Sequence, residues 1–123
     1  MTHQYTLLLG ATILPGLDAR PASAIAWAEG TVLAIGSDDE VLSISRGDST
    51  IVRTRRAWIV PLGAEPEPTW PPDATLDVGG SADLAVLDGD PRRPGEAAPA
   101  PGTRPGVIAL VRNGRIVAGA LPR

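Results

Sequence analysis

The 123-residue chain has no cysteine, no lysine and no phenylalanine, a single histidine at position 3, and four aromatics: Tyr5, Trp27, Trp58 and Trp70. Each absence removes chemistry. Without cysteine there is no disulfide framework, zinc ribbon, iron–sulfur site or thiol nucleophile. Without lysine there is no Schiff base and no P-loop lysine. One histidine cannot build a His-rich metal cluster within one chain. His3 also sits close to the start of the chain, where order is uncommon. No apolar run approaches the roughly 18–20 residues needed to cross a bilayer. The longest candidate, beginning at Leu7, is broken by Gly10, Thr12, Pro15 and Gly16. Met1-Thr2-His3-Gln4 lacks the basic start of a signal peptide, so the expectation is a cytoplasmic protein without membrane contact.

What is present is aliphatic and acidic. Val, Ile and Leu supply 30 residues and Ala another 18, enough for one modest core. Eleven arginines against fourteen acids give a net charge of −3, which disfavours a phosphate-backbone partner and argues against nucleic acid.

Proline marks the organisation. Five of the 13 prolines lie between Pro61 and Pro72 and five between Pro91 and Pro105. Neither stretch suits a helix or a central strand, because proline lacks the N–H and fixes φ. The periodicity elsewhere is that of strands. Tyr5 to Leu9 and Ala11 to Leu14 are β-prone runs separated by Gly10. Ser23 to Gly36 reads as a hairpin turning at Glu29-Gly30, and Val107 to Gly119 as another turning at Asn113-Gly114. Thr50–Thr54, Ala57–Val60, Thr75–Val78 and Leu84–Leu87 complete the predicted strands. Ser37-Asp38-Asp39-Glu40 fits a capping box and opens a helix of about two turns, which Gly47 can end.

The site candidates are weak as chemistry. The acids Asp38, Asp39 and Glu40 are accounted for by the helix cap and dipole without a cation. Arg53 and Arg55 share one strand face while Arg56 points to the other, and no aromatic platform accompanies them as single-strand binding would want. Arg92-Arg93 stands in a proline-rich loop. Gly79-Gly80-Ser81-Ala82-Asp83 precedes a strand, so it lacks the helix N-terminus that makes phosphate loops work and reads as a turn. Ser23, Ser37, Ser43, Ser45, Ser49 and Ser81 have no histidine placed to activate them. No pair of carboxylates stands out by spacing for acid–base work. No catalytic, cofactor-binding or metal-ligating residue is therefore assigned, and no cofactor is expected.

The order of segments adds to this. Leu7-Leu-Leu-Gly-Ala-Thr-Ile-Leu-Pro-Gly16 is followed by Ala24-Ile-Ala-Trp-Ala-Glu-Gly-Thr-Val-Leu-Ala-Ile-Gly-Ser37, a short helix, and Thr50-Ile-Val-Arg-Thr-Arg-Arg-Ala-Trp-Ile-Val-Pro-Leu-Gly63. Gly80-Ser-Ala-Asp-Leu-Ala-Val-Leu-Asp-Gly-Asp-Pro91 and Val107-Ile-Ala-Leu-Val-Arg-Asn-Gly-Arg-Ile-Val117 close the chain. In that order, these segments resemble the two ends of the amidohydrolase superfamily of metal-dependent hydrolases. Those ends form a small β domain beside a catalytic TIM barrel. In the family the barrel strand after the first block carries a His-x-His metal pair. Here Ala64-Glu-Pro-Glu-Pro-Thr-Trp-Pro-Pro72 follows instead, and roughly twenty residues between Val60 and Ser81 stand where the barrel would be. Twelve extended residues at about 3.1 Å each span roughly 37 Å, enough for the two halves to meet without it.

The resemblance implies a fold: mainly β, a composite β-sandwich or barrel-like domain from N- and C-terminal halves, with hairpins and one short helix. A single domain over 1–123 is expected, with an N-terminal half 1–63, a proline-rich linker 64–73 in place of the barrel, and a C-terminal half 74–123 containing a proline-rich loop 91–106. Function resides in the site and not in the fold. The leading expectation is thus a non-catalytic, stand-alone β domain acting as a binding or assembly module, as a homodimer or with an unidentified protein partner. One alternative is a component of a split metal-dependent hydrolase acting on non-peptide C–N bonds, its barrel on another chain. The other is a decayed remnant without activity. Trp58 and Trp70 flank the missing barrel and are candidates to cover the vacated face under the linker or to contact a partner.

Overall fold

Two dipeptides shape the hairpins from which the sheet is built. Glu29 and Gly30 have φ of 52° and 80°, and Asn113 and Gly114 have φ of 50° and 75°. Paired positive φ is what a two-residue turn needs to match the twist of its flanking strands. The computed structural model describes residues 5–16, 20–45, 49–54, 57–64, 72, 74–91, 106–119 and 121.

The elements are β1 (Thr6–Ile13), β2 (Ala22–Ala28), β3 (Thr31–Gly36), α1 (Asp38–Leu42), β4 (Thr50–Arg53), β5 (Trp58–Pro61), β6 (Leu84–Leu87), β7 (Val107–Arg112) and β8 (Arg115–Gly119). They form one mixed sheet in the order β3-β2-β1-β5-β6-β7-β8, with β4 also on β1. Among the described residues the fold is mainly β with one short helix, and the sheet is not closed into a barrel. The two halves of the chain join where β5 pairs antiparallel with β6, from Trp58 opposite Leu87 to Pro61 opposite Leu84. Pro61 closes a central strand, a position the proline rule alone argues against. It is tolerated as the last residue of that strand, where the ladder ends.

β1 is one strand, not two runs parted by Gly10. Its first half pairs parallel with β4 and its last residues pair parallel with β5. Between them Gly10, at φ 74°, sits in a register shift against β2. A Cβ at Gly10 would run into the Thr54 carbonyl oxygen. The glycine thus makes a bulge that hands β1 from one neighbour to the next. The Gly10 N–H donates to Asp38 Oδ1 at 3.1 Å, so the helix start satisfies the bulge.

α1 has the capping box in full: Glu40 N–H donates to Ser37 Oγ and Ser37 N–H to Glu40 Oε1, both at 3.2 Å. It is shorter than two turns. Asp38–Leu42 is helical, and Ile44 and Ser45 continue with tighter bonds to Val41 and Leu42. Gly47 lies outside the described residues. Thr75–Val78 is not a strand. Leu76 is buried, its N–H donates to the Pro15 carbonyl, and residues 78–79 turn. Among the described residues no strand pairs with the segment.

The three core clusters follow the period of two. Leu8, Ile13, Ile25, Trp27, Val32, Ile59, Leu84, Val86, Ala109 and Val111 share one face and pack together. That six strands meet in one cluster shows how far the sheet curls. Leu7, Leu9, Ala24, Ala26 and Val41 form a second cluster on the other face, under α1. Leu14, Val60, Leu62, Ala85 and Leu87 form a third. Because both faces of β1 are covered, Leu7, Leu8 and Leu9 are all buried. Each such leucine contributes about 1.5–3 kcal/mol of burial.

Candidate functional site

At one end of the curled sheet the two hairpin tips meet. Gly30 and Gly114 touch: a Cβ on Gly114 would stand 3.1 Å from the Gly30 Cα. The segment 79–82 is laced between them. Val32 N–H donates to the Gly80 carbonyl at 2.9 Å, Gly79 N–H to the Val32 carbonyl at 2.8 Å, and Ala82 N–H to the Gly30 carbonyl at 2.8 Å. Thr31 and Ser81 form an isolated antiparallel bridge there. On the other side Gly114 N–H donates to the Ala82 carbonyl at 3.0 Å. Ser81 Oγ donates to Asn113 Oδ1 and Asn113 N–H to Asp83 Oδ1, both at 2.8 Å. A seam of polar bonds thereby fastens the start of β3 to the tip of the last hairpin.

Outside the seam lies an open groove of about 950 Å³, and Glu29, Thr31, Ser81, Arg112, Arg115 and Val117 are among its lining residues. It carries charge of both signs. Arg112 Nη1 donates to the Leu62 carbonyl at 3.4 Å, which ties the groove to the end of β5. There Leu62 N–H also donates to the Asp83 carbonyl at 3.1 Å. The Ser81 hydroxyl spends its proton on Asn113. The described lining thus combines side chains of both charges with a serine hydroxyl committed to Asn113.

β8 forms one wall. All five of its residues are exposed, and Ile116 and Val117 stand 47% and 58% open. The ladder to β7 pairs Ile116 with Val111 and Ala118 with Leu110, leaving Val117 as an extra residue in a bulge. A bulge breaks the in–out alternation, so two consecutive branched aliphatics face solvent. It also disrupts the outer edge as a template for a further strand.

Of the residues singled out in the sequence, the described ones lie on several elements. Trp58 is half-buried against the third core cluster, on the opposite face of the sheet from the enclosed core. Trp70, His3, Arg55, Arg56, Arg92 and Arg93 lie outside the described residues. Arg53 is exposed on β4. Asp38, Asp39 and Glu40 are the acidic first turn of α1. Ser37 is its cap, Ser43 Oγ donates to the Glu40 carbonyl, and Ser23 Oγ to the Gly36 carbonyl. Among the described residues no three His, Cys, Asp or Glu side chains come together as a metal would need. The turn at Gly79–Asp83, which read as a plain connection, is the lace of the seam. Its only sequence signal is a Gly-Gly-Ser run with no tight hairpin of its own.

No protein-family model matches the chain, and no curated protein does. Among solved structures, an uncharacterized metal-dependent hydrolase from Pyrococcus furiosus is similar at a TM-score of 0.43 and 19% sequence identity. The match covers 46% of this chain and 13% of that one.

Proposed function

We propose that the chain is a non-catalytic assembly module that associates with a second copy of itself across the groove between its hairpin tips. The observation that carries this is β8, a strand exposed along its whole length with Ile116 and Val117 side by side. Val117 lines the same groove as Glu29 and Arg115. In a two-fold contact the same patch serves both partners. Ile116 and Val117 of one copy then cover those of the other, and Arg115 of each reaches Glu29 of its partner. An apolar centre with opposite charges at its rim is complementary to itself.

The relation to metal-dependent hydrolases belongs to the same proposal and rests on the order of segments. It has one structural support. Pro61, the last residue of β5, is paired with Leu84, the first residue of β6. An inserted barrel would enter and leave at adjacent points, and here the sheet pairs up to that point without one. The same pairing supports the second reading, a split hydrolase whose barrel is a separate chain. Trp58, half-buried beside the join, is then a cover for the vacated face or an anchor for the partner.

Light scattering across a wide concentration range tests the proposal. A dimer that Val117→Lys converts to monomer, with its circular dichroism unchanged, supports it. A monomer throughout overturns it. A wild-type chain that binds a barrel-bearing partner and gains divalent metal only in that complex moves the assignment to the split enzyme.

A further inference from the structure

We infer that Asn113 is a site of spontaneous covalent modification, restrained by the seam and able to open it once it occurs. The inference is independent of self-association. Asn113 is the only asparagine of the chain and is followed by Gly114. In an Asn-Gly pair the following backbone nitrogen can attack the side-chain carboxamide, because glycine puts no Cβ in the way.

The fold requires this reactive pair. Residue 113 has φ 50°, which asparagine tolerates better than almost any other side chain. Residue 114 has φ 75°, and a Cβ there would stand 3.1 Å from Gly30 N, Gly30 Cα and Trp27 Cδ1. Neither residue is freely exchanged.

The seam holds both reacting groups. The attacking nitrogen, Gly114 N, keeps its proton in a bond to the Ala82 carbonyl at 3.0 Å. The carboxamide under attack is held through Oδ1 by Ser81 Oγ at 2.8 Å. Asp83 sits against the Asn113 N–H at 2.8 Å, and its negative charge disfavours a second one on the neighbouring peptide nitrogen. Cyclisation therefore waits for the seam to open, a local event less costly than global unfolding.

The step balances without an added reagent other than water. A bond forms between Gly114 N and Asn113 Cγ, the Cγ–Nδ2 bond breaks, and the amide proton leaves with the amino group as ammonia. Water then opens the cyclic imide. Attack at Cγ gives aspartate, and attack at the main-chain carbonyl carbon gives isoaspartate. Isoaspartate threads the main chain through an additional carbon, which a two-residue turn cannot accommodate. The Gly114 carbonyl then leaves the Trp27 indole, and the seam stays open.

The test incubates the full chain at mildly alkaline pH in native buffer and in unfolding urea, with peptide mapping of the amide-to-acid mass gain at residue 113. Conversion in urea is expected to be at least roughly tenfold faster than in native buffer. Ser81→Ala, a change at an exposed position, is expected to raise the native rate. The purified isoaspartate form is expected to melt lower and to exchange its Trp27 indole proton faster. Equal rates in buffer and urea, a native rate indifferent to Ser81→Ala, or an isoaspartate form that melts like the parent would each overturn the inference.

Discussion

The Trp27 indole N–H donates to the Gly114 carbonyl at 3.3 Å, joining residues 87 positions apart in the chain. Trp27 is 3% exposed and packs in the enclosed core. The bond therefore ties the core to the seam and adds a side-chain link to the backbone bonds that register the last hairpin on the first. Trp27→Phe removes the donor, strands the carbonyl and leaves a partial cavity. A loss of about 2–4 kcal/mol is expected. Urea titration reads it as a lower midpoint at unchanged slope. Trp58→Phe, at a half-buried site, is expected to cost under about 1.5 kcal/mol in the same assay.

Three glycines at positive φ separate strain from collision. Gly79, at φ 89°, has nothing within 4 Å of where a Cβ would be, so Gly79→Ala meets only the left-handed penalty of about 1–2 kcal/mol. Gly114→Ala adds contacts at 3.1 Å with Gly30 and Trp27, and Gly10→Ala adds the Thr54 carbonyl, which cannot move without breaking β1 from β4. The expected order of thermal stability is Gly79→Ala above Gly114→Ala above Gly10→Ala. Calorimetry of the three variants checks it.

Both hairpins and the capping box were legible in the sequence because their signals are local. Glu29-Gly30, Asn113-Gly114 and Ser37 with Glu40 each act within four residues. Gly10 read as a break between two runs, and it is a bulge within one strand. A glycine inside an apolar run marks either a break or a bulge, and which one depends on whether a neighbour such as Thr54 fills the gap. Thr75–Val78 has the composition of a strand, but composition cannot say that no neighbouring edge is free to take it up. The groove was not legible. It depends on bringing Gly30, Ser81 and Gly114 together across most of the chain, and no local pattern links the three. The exposure of Ile116 and Val117 was hidden for a related reason, since a bulge at Val117 changes which way an otherwise regular strand faces.

The helix gives a small and separable effect. Ser37→Ala removes the acceptor for the Glu40 N–H at 3.2 Å and disrupts the capping box. A loss of about 1 kcal/mol is expected. Because α1 covers Leu7, Leu9, Ala24 and Ala26 through Val41, amide exchange is expected to rise in α1 and along that side of β1, and to stay unchanged at the seam.

Charge reversal across the groove tests the central claim most directly. Sedimentation equilibrium on the wild-type chain, Glu29→Arg, Arg115→Glu and the double variant compares four dimer constants, with circular dichroism checking that each variant keeps the fold, since Glu29 also interacts within its own chain. A rim ion pair is worth about 0.2–1 kcal/mol, and it occurs twice in a two-fold contact. Each single reversal is therefore expected to weaken the dimer by roughly two- to thirtyfold. The double variant is expected to recover most of that loss. A monomer at every concentration, or a dimer unmoved by either reversal, would contradict the account.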